Sequence, residues 1–444
     1  MVHTFSALGC YIAVDVNSGA VHVLDKLSYD LLTAADNCPD VMPELEGVSR
    51  QEAEKAWQEL MALKEQGLLF TPMDYVDPAE AVPKDAPVKA LCLHVSHDCN
   101  LRCKYCFAST GDFGTGRKIM PPEVAIRAID WVAKKSGKRH NIEVDFFGGE
   151  PLMAMDTVKA TVEYARAHEK EWGKHFRFTM TTNGVLLSDE NIKYFNENMD
   201  NCVLSLDGRK EVNDRNRLTV NGKGSYDVIV PKFQKLIEGR GTKDYYLRGT
   251  FTRFHQDFAE DVKALASIGR NISVEPVVGK EDDPYALQEA DLPALKAEYE
   301  RLAEYLRDHP ETNFFHFNVD LAQGPCVIKR LRGCGAGCEY VAITPEGDIY
   351  PCHQFVGNED YKLGSLYDGT FDQELSGRFA GLNIYTREEC RDCWARFYCS
   401  GGCSASNLLV NGDIKKPHRV GCELERKRLE CAIALRAIAA GMAE

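Results

Sequence analysis

The chain has no run of about 18 consecutive apolar residues, the length a membrane-crossing helix needs, although 44% of its 444 residues are hydrophobic. It opens on Met1-Val-His-Thr-Phe, without the charged start, apolar stretch and small-residue cleavage site of a secretory signal. Together these absences predict a cytoplasmic protein with no membrane partner, and they turn its 17 cysteines away from a disulfide framework and toward reduced thiols. Positive charge is scarce as well: 53 Lys and Arg face 67 Asp and Glu, for a net charge of −14. Nucleic-acid affinity rests mainly on cations that neutralise phosphates, so no nucleic-acid partner is expected. The one basic stretch, Lys415-Lys-Pro-His-Arg419 followed by Glu425-Arg426-Lys427-Arg428, is interspersed with acids and reads as a solvated helix face.

What the chain does have is order along its length. Two short apolar runs, Cys10–Val16 and Ala20–Leu24, flank Asn17-Ser18-Gly19 and predict a hairpin. Helical patterns follow at Leu27–Ala35 and from Ser49 to Gln66, the second with Ser49 as its cap and Gly67 as its stop. Four prolines between Thr71 and Pro87 mark a linker. Strand-like and helix-like segments then alternate. Strands fit 88–95, 141–147, 176–181, 202–206, 245–251 and 272–277, with helices at 122–135, 157–171, 189–198, 226–237, 258–267 and 292–307. Six βα units in succession predict a parallel sheet with right-handed crossovers, closing as a partial (β/α)6 barrel. After about residue 320 the alternation stops, and Gly, Cys and turn dipeptides predict a segment held together by metal. The expected organisation is 1–70, a linker at 71–87, an α/β barrel at 88–310 and a Cys-rich domain at 311–444.

Cys99-Asn-Leu-Arg-Cys103-Lys-Tyr-Cys106 follows the first barrel strand directly, at the strand ends where such sheets build their sites. Three thiolates on a four-iron cube leave one iron open to bind a small molecule. A structural zinc site is the competing reading, but no fourth ligand stands at zinc-like spacing after Cys106. The spacing resembles the radical S-adenosylmethionine (SAM) superfamily. That resemblance implies that Cys99, Cys103 and Cys106 hold a catalytic [4Fe–4S] cluster that cleaves SAM to a 5′-deoxyadenosyl radical, with Tyr105 near the adenine. It also implies that Gly148, Gly149 and Glu150 of Phe146-Phe-Gly-Gly-Glu-Pro151 meet the methionine moiety and its ammonium. Ser205 would contact the ribose with Asn183 nearby, and Arg215 would pair with the carboxylate, although Asn213 replaces the family's His and Arg217 leaves the register open. A turn or helix cap is the alternative for each polar rim residue.

The last quarter carries Cys334, Cys338, Cys352, Cys390, Cys393, Cys399, Cys403 and Cys422. Their spacing resembles the SPASM extension, which carries two auxiliary [4Fe–4S] clusters and would bring the total to three. The resemblance assigns Cys334, Cys352 and Cys403 to the first auxiliary cube. Cys338 is an additional candidate there, or a substrate thiolate completes that cube. The resemblance assigns Cys390, Cys393, Cys399 and Cys422 to the second. Zinc ribbons are the alternative. Of the six remaining cysteines, Cys10, Cys38, Cys92, Cys202 and Cys431 read mostly as small buried hydrophobes, and Cys326 sits in a Gly-Pro-Cys turn.

Residues 1–70 resemble the PqqD-like leader-peptide recognition element, which adds a peptide as an extra strand at a sheet edge; a plain packing role is the alternative. The words Cys103–Phe113, Gly333–Gly337 and Tyr350–Gly357 resemble the SCIFF-peptide maturases across essentially the whole chain. That resemblance implies thioether bonds, cysteine sulfur to carbon, in a Cys-rich precursor peptide. It implies hydrogen abstraction by the deoxyadenosyl radical, attack of a cysteine thiolate, and loss of two hydrogens per bond. A flavodoxin or ferredoxin would donate electrons. Other readings keep the fold but change the product, to a side-chain-carbon thioether at Asp or Glu or to a carbon–carbon crosslink. A non-enzymatic reading is a cluster-bearing peptide-binding redox module.

Overall fold

The computed structural model describes residues 1–73, 86–321 and 331–442. Most of the linker and Cys326 lie outside the described residues. The chain folds as two compact units, one made of Met1–Ala81, Gln288–Gly333 and Asn383–Glu444, the other of Val82–Leu287 and Cys334–Leu382.

The larger unit is built on a parallel sheet. Its strands in chain order are β4 (Ala90–Ser96), β6 (Asn141–Gly148), β7 (His175–Thr182), β8 (Asn201–Ser205), β10 (Asp244–Phe251) and β11 (Asn271–Pro276). They lie side by side in the order 4-6-7-8-10-11, all parallel, as six successive βα units require. The helices Pro122–Lys135, Met155–Trp172, Asp189–Asn198, Tyr226–Glu238 and Phe258–Ala266 fall within a residue or two of the expected spans. Along β6 and β7 burial alternates: Ile142, Val144, Phe146, Phe176, Phe178 and Met180 are sealed, while Glu143, Asp145, Phe147, Arg177 and Thr179 are partly open. One face therefore packs on helices and the other lines a polar concavity, the open wall of a partial barrel. The fold is the α/β partial barrel that the sequence predicts.

Beyond the β4 edge the Cys-rich segment contributes strands of its own. β13 (Tyr340–Ile343) pairs parallel with β4, and β14 (Asp348–Tyr350) and β15 (Gly364–Ser365) continue antiparallel. Turn-rich composition hid these short strands, so this segment is less irregular than expected. A separate two-strand pairing joins β5 (Leu101–Cys103) to β9 (Arg217–Thr219).

The smaller unit starts with a three-stranded antiparallel sheet, β1 (Val2–Ala7), β2 (Cys10–Asp15) and β3 (Val21–Leu24). The sequence signals only the β2–β3 hairpin. β1 escapes because its turn places Leu8 at φ 51°, a left-handed conformation that leucine does not advertise. The helices Lys26–Ala35 and Arg50–Glu65 follow, capped by Asp25 and Ser49. One face of the sheet meets these helices through Val2, Ala13, Leu31, Leu32 and Leu60. The other shares a core with the C-terminal segment through Phe5, Ile12, Val14, Trp394, Phe397 and Ile433. The unit also holds the helix Leu292–Asp308 and a two-residue strand, β12 (Asn313–Phe314).

The 21-residue helix Arg419–Ala439 corrects the expectation of a solvated basic face for the Glu425–Arg428 half of the basic stretch. It packs along helix Leu292–Asp308 and buries Leu424, Leu429 and Ile433. Arg426, Lys427 and Arg428 on it are largely covered and paired, with the Lys427 side chain 12% exposed and 2.5 Å from Glu300, whereas Lys415, Lys416 and Arg419 are solvated as expected. Charge pattern alone does not show that both sides of a helix are covered.

Candidate functional site

The polar rim lies where the parallel strands end. β4 runs into the Cys99 loop, β6 ends at Gly148, β7 at Thr182 and β8 at Ser205. Gly148 (φ 130°) and Gly149 let the end of β6 press against that loop. A Cβ on either would fall 2.1 Å from the Ser96 carbonyl oxygen or 2.2 Å from that of Asp98. The backbone N–H groups of Gly149 and Glu150 donate to those same two carbonyls.

Glu150 is fully buried. Its carboxylate accepts from Leu152 N (3.0 Å), Thr182 Oγ1 (2.7 Å) and Asn183 N (2.8 Å). Burial pushes its pKa up, and these donors oppose the shift. Among the described residues no cationic side chain makes an ion pair with it, and the Arg217 guanidinium acts on it only from a distance, so this buried carboxyl suits a cationic ligand group. The Asn183 side chain bridges this carboxylate region to the cysteine loop, donating to Asn100 Oδ1 at 2.8 Å and lying 3.6 Å from Cys99 Sγ.

A second network closes the other side of the loop. The Tyr105 hydroxyl bonds both Asp207 carboxylate oxygens at 2.7 Å, and Arg217 Nη1 donates to that hydroxyl at 2.9 Å. Arg217 is 9% exposed and Asp207 1%. The β5–β9 register places Arg217 opposite Cys103 and so fixes it in the site. Its Nε has no partner among the described residues, and neither has Nδ2 of Asn100. Arg215 lies elsewhere: it is exposed, with its guanidinium 4.6 Å over the Phe254 ring. Asn213, standing where the resemblance expects His, is buried and donates to Asp214 and Ser225.

The three loop thiols are partly open. Burial pushes Cys99 up to about 12 and Cys103 up to about 11, with Cys106 adding to both shifts. Thiols held this way keep their protons until metal displaces them. Among the described residues no three His, Cys, Asp or Glu side chains approach closely enough to hold a single ion. A zinc site would draw its sulfurs to within about 4 Å of one another, given Zn–S near 2.3 Å; a cube is wider. Three thiols, an unpaired buried carboxylate and orphaned donors fit an open-iron cluster with a zwitterionic ligand.

The second cysteine set divides by unit. Cys334, Cys338 and Cys352 belong to the larger unit, Cys334 exposed and the other two buried, and Cys338 Sγ lies 3.3 Å from the Gly335 carbonyl. Cys403 is exposed and belongs to the smaller unit. Cys390, Cys393, Cys399 and Cys422 also lie in the smaller unit, on the short helices Glu388–Arg391 and Arg396–Cys399 and the start of the C-terminal helix. Burial raises the Cys390, Cys399 and Cys422 thiols; Cys422 adds to the shifts of Cys390 and Cys399, and Cys393 to those of Cys390 and Cys422, so the four thiols lie close enough to act on one another. Cys10, Cys92, Cys202 and Cys431 are buried as expected, and Cys38 is exposed.

Residues 93–250 match the family model of the radical SAM superfamily, from within β4 to within β10. Residues 334–394 match that of SPASM, an iron–sulfur cluster-binding domain. This chain joins a radical SAM domain to a SPASM domain. SAM and a [4Fe–4S] cluster are the cofactors of the radical SAM domain, and the SPASM domain binds further iron–sulfur clusters. Radical SAM cyclopropyl synthase TigE of Paramaledivibacter caminithermalis is 24% identical over 76% of this chain and 72% of its own length. Mycofactocin maturase MftC of Mycolicibacterium smegmatis is 28% identical over 75% and 82%. Two solved structures share the fold. Native anSMEcpe with bound AdoMet and the Kp18Cys peptide gives TM-score 0.65 at 21% identity, over 80% of this chain and 99% of that one. Streptococcus suis SuiB bound to precursor peptide SuiA gives 0.54 at 16%, over 94% and 98%. Sequence reasoning missed the placement of Arg217 and the anchoring role of Asp207 in this radical SAM site. The signal for Asp207 was available, two residues past Ser205 on the same rim.

Proposed function

We propose that this chain is a radical SAM maturase that installs thioether crosslinks, cysteine sulfur to carbon, in a ribosomally made Cys-rich precursor peptide. The observation that carries the reading is the meeting of the Cys99–Cys106 loop with the unpaired Glu150 carboxylate at the strand ends, in a chain with a second cysteine set. Relatives named as a mycofactocin maturase and a cysteine-type anaerobic sulfatase-maturating enzyme support a maturase acting on a polypeptide substrate. The sequence words shared with SCIFF-peptide maturases support the thioether product.

In this reading Cys99, Cys103 and Cys106 hold the catalytic cluster, and Glu150 takes the SAM ammonium. Gly148 and Gly149 give it backbone, and Asn183, Ser205 and Tyr105 border it. Arg217 replaces Arg215 as the nearby cation, because only Arg217 is built into the site. Bound SAM and the reduced cluster supply a 5′-deoxyadenosyl radical. One auxiliary cluster is held through Cys334 and Cys352, with Cys338 as an additional candidate, and the other through Cys390, Cys393, Cys399 and Cys422. Residues 1–70 recognise the leader, 71–87 link, 88–310 form the barrel and 311–444 the SPASM region. A flavodoxin or ferredoxin delivers electrons.

The test is anaerobic co-expression with a Cys-rich precursor peptide, followed by its mass. A loss of two hydrogens per bond, with the linked cysteines resistant to alkylation, is expected. The same mass loss with all cysteines still alkylated would replace the thioether with a carbon–carbon product.

A further inference from the structure

We infer that Arg387 is the buried counter-charge of the iron–sulfur cluster held by the last cysteine group and raises that cluster's reduction potential. This rests on reading Cys390, Cys393, Cys399 and Cys422 as its ligands. Arg387 is 3% exposed and immediately precedes the short helix that carries Cys390. Its Nη1 donates to the Gly401 carbonyl, and its Nη2 donates to Ser404 Oγ at 2.8 Å and the Ile414 carbonyl at 3.4 Å. All of these acceptors are neutral. Its Nε has no partner among the described residues, and no carboxylate there pairs with it. The ionisable side chains that act on it are the thiols of Cys390, Cys399 and Cys422, which belong to that group, and of Cys403.

A buried guanidinium without an anion is a costly arrangement, so its position marks where negative charge belongs. Four thiolates around a cube with two positive charges leave two negative charges, and one-electron reduction adds a third. A fixed buried cation beside the cluster favours the reduced form, since net charge and hydrogen bonds to sulfur set such potentials. Arg426 acts in the same direction more weakly. Its Nη1 lies 3.8 Å from Cys393 Sγ, but its charge is shared with Glu423, which also holds Lys296 at 2.6 Å. Arg387 has no such competitor, so it dominates.

The experiment is a dithionite titration, followed by electron paramagnetic resonance, of the full-length protein reconstituted anaerobically with iron and sulfide. A Cys99→Ala background removes overlap from the SAM-side cluster. Arg387→Met is expected to shift the assigned midpoint negative by at least the 59 mV of a tenfold change for a one-electron couple. Arg426→Gln shifts it less, and Arg387→Lys stays nearest the parent. An unchanged midpoint in Arg387→Met would overturn the inference. If Arg387→Met fails to load the cluster, Arg387→Lys decides: loading with the parent midpoint supports the counter-charge, and failure to load overturns it, because then the fork rather than the charge is needed. Cys390→Ala separately checks the ligand reading, since survival of the titrated signal in that variant would remove the cluster from this group.

Discussion

Arg217 enters the rim because a three-residue strand pairs it with Cys103, an arrangement too short to leave periodicity in the sequence. Motif spacing therefore pointed to Arg215, two positions away and on the surface. The difference is measurable. Arg217→Met leaves Asp207 buried without its cation and is expected to destabilise the larger unit by about 3–5 kcal/mol. Arg215→Met is expected to change stability by less than about 0.5 kcal/mol. Thermal unfolding of the two variants checks this, and equal effects would contradict the network. Gly148 gives a sharper outcome. Gly148→Ala drives a Cβ to 2.1 Å from the Ser96 carbonyl in a backbone conformation that alanine resists, so it is expected to abolish SAM binding by calorimetry. Here the residue type alone was informative, because a glycine pair at a strand end marks a close backbone approach.

His94 in β4 and His97 just past its end are both completely buried, with His94 Nδ1 and His97 Nε2 3.1 Å apart and His97 Nδ1 2.9 Å from Thr115 Oγ1. Burial pushes His97 down to about 4. Its folded pKa lies below the ordinary value, so the unfolded chain binds its proton first. The stability present above about pH 6.5 is lost as pH falls toward 4. Asp145, pushed up to about 6 by burial, works in the opposite direction over much of that window. His97→Gln leaves Asp145 in place, so the difference reports the histidine pair: the lost His97 proton together with the relief of His94, which burial and then His97 hold well below its ordinary value. The variant is expected to lose about 3 kcal/mol less than the parent between pH 6.5 and 4, read from urea unfolding at each pH; parallel curves would contradict it. The strand itself was legible as an apolar run after a linker. Its histidine pair was not, because polar side chains on the concave face carry no periodic signal of their own. The same limit hid β1, whose turn depends on a left-handed Leu8.

In the whole molecule, the parallel sheet and its helices were readable because six successive units each bury one apolar face. The compact units were not, because they are discontinuous in sequence. The N-terminal sheet shares its core with Trp394, Phe397 and Ile433. Deleting residues 1–73 is therefore expected to lower iron content by about one cluster's worth, through exposure of the core behind Cys390 and Cys393. Iron and sulfide assay of the truncated protein checks this, and full loading would show a dispensable module. The central claim is that the Cys99 loop and the rim around Glu150 perform radical SAM chemistry. Its most direct measurement is 5′-deoxyadenosine formation from SAM under anaerobic reduction, in the parent and in Cys99→Ala. Production by the parent and none by the variant is the predicted result; cleavage that survives the loss of Cys99 would contradict it.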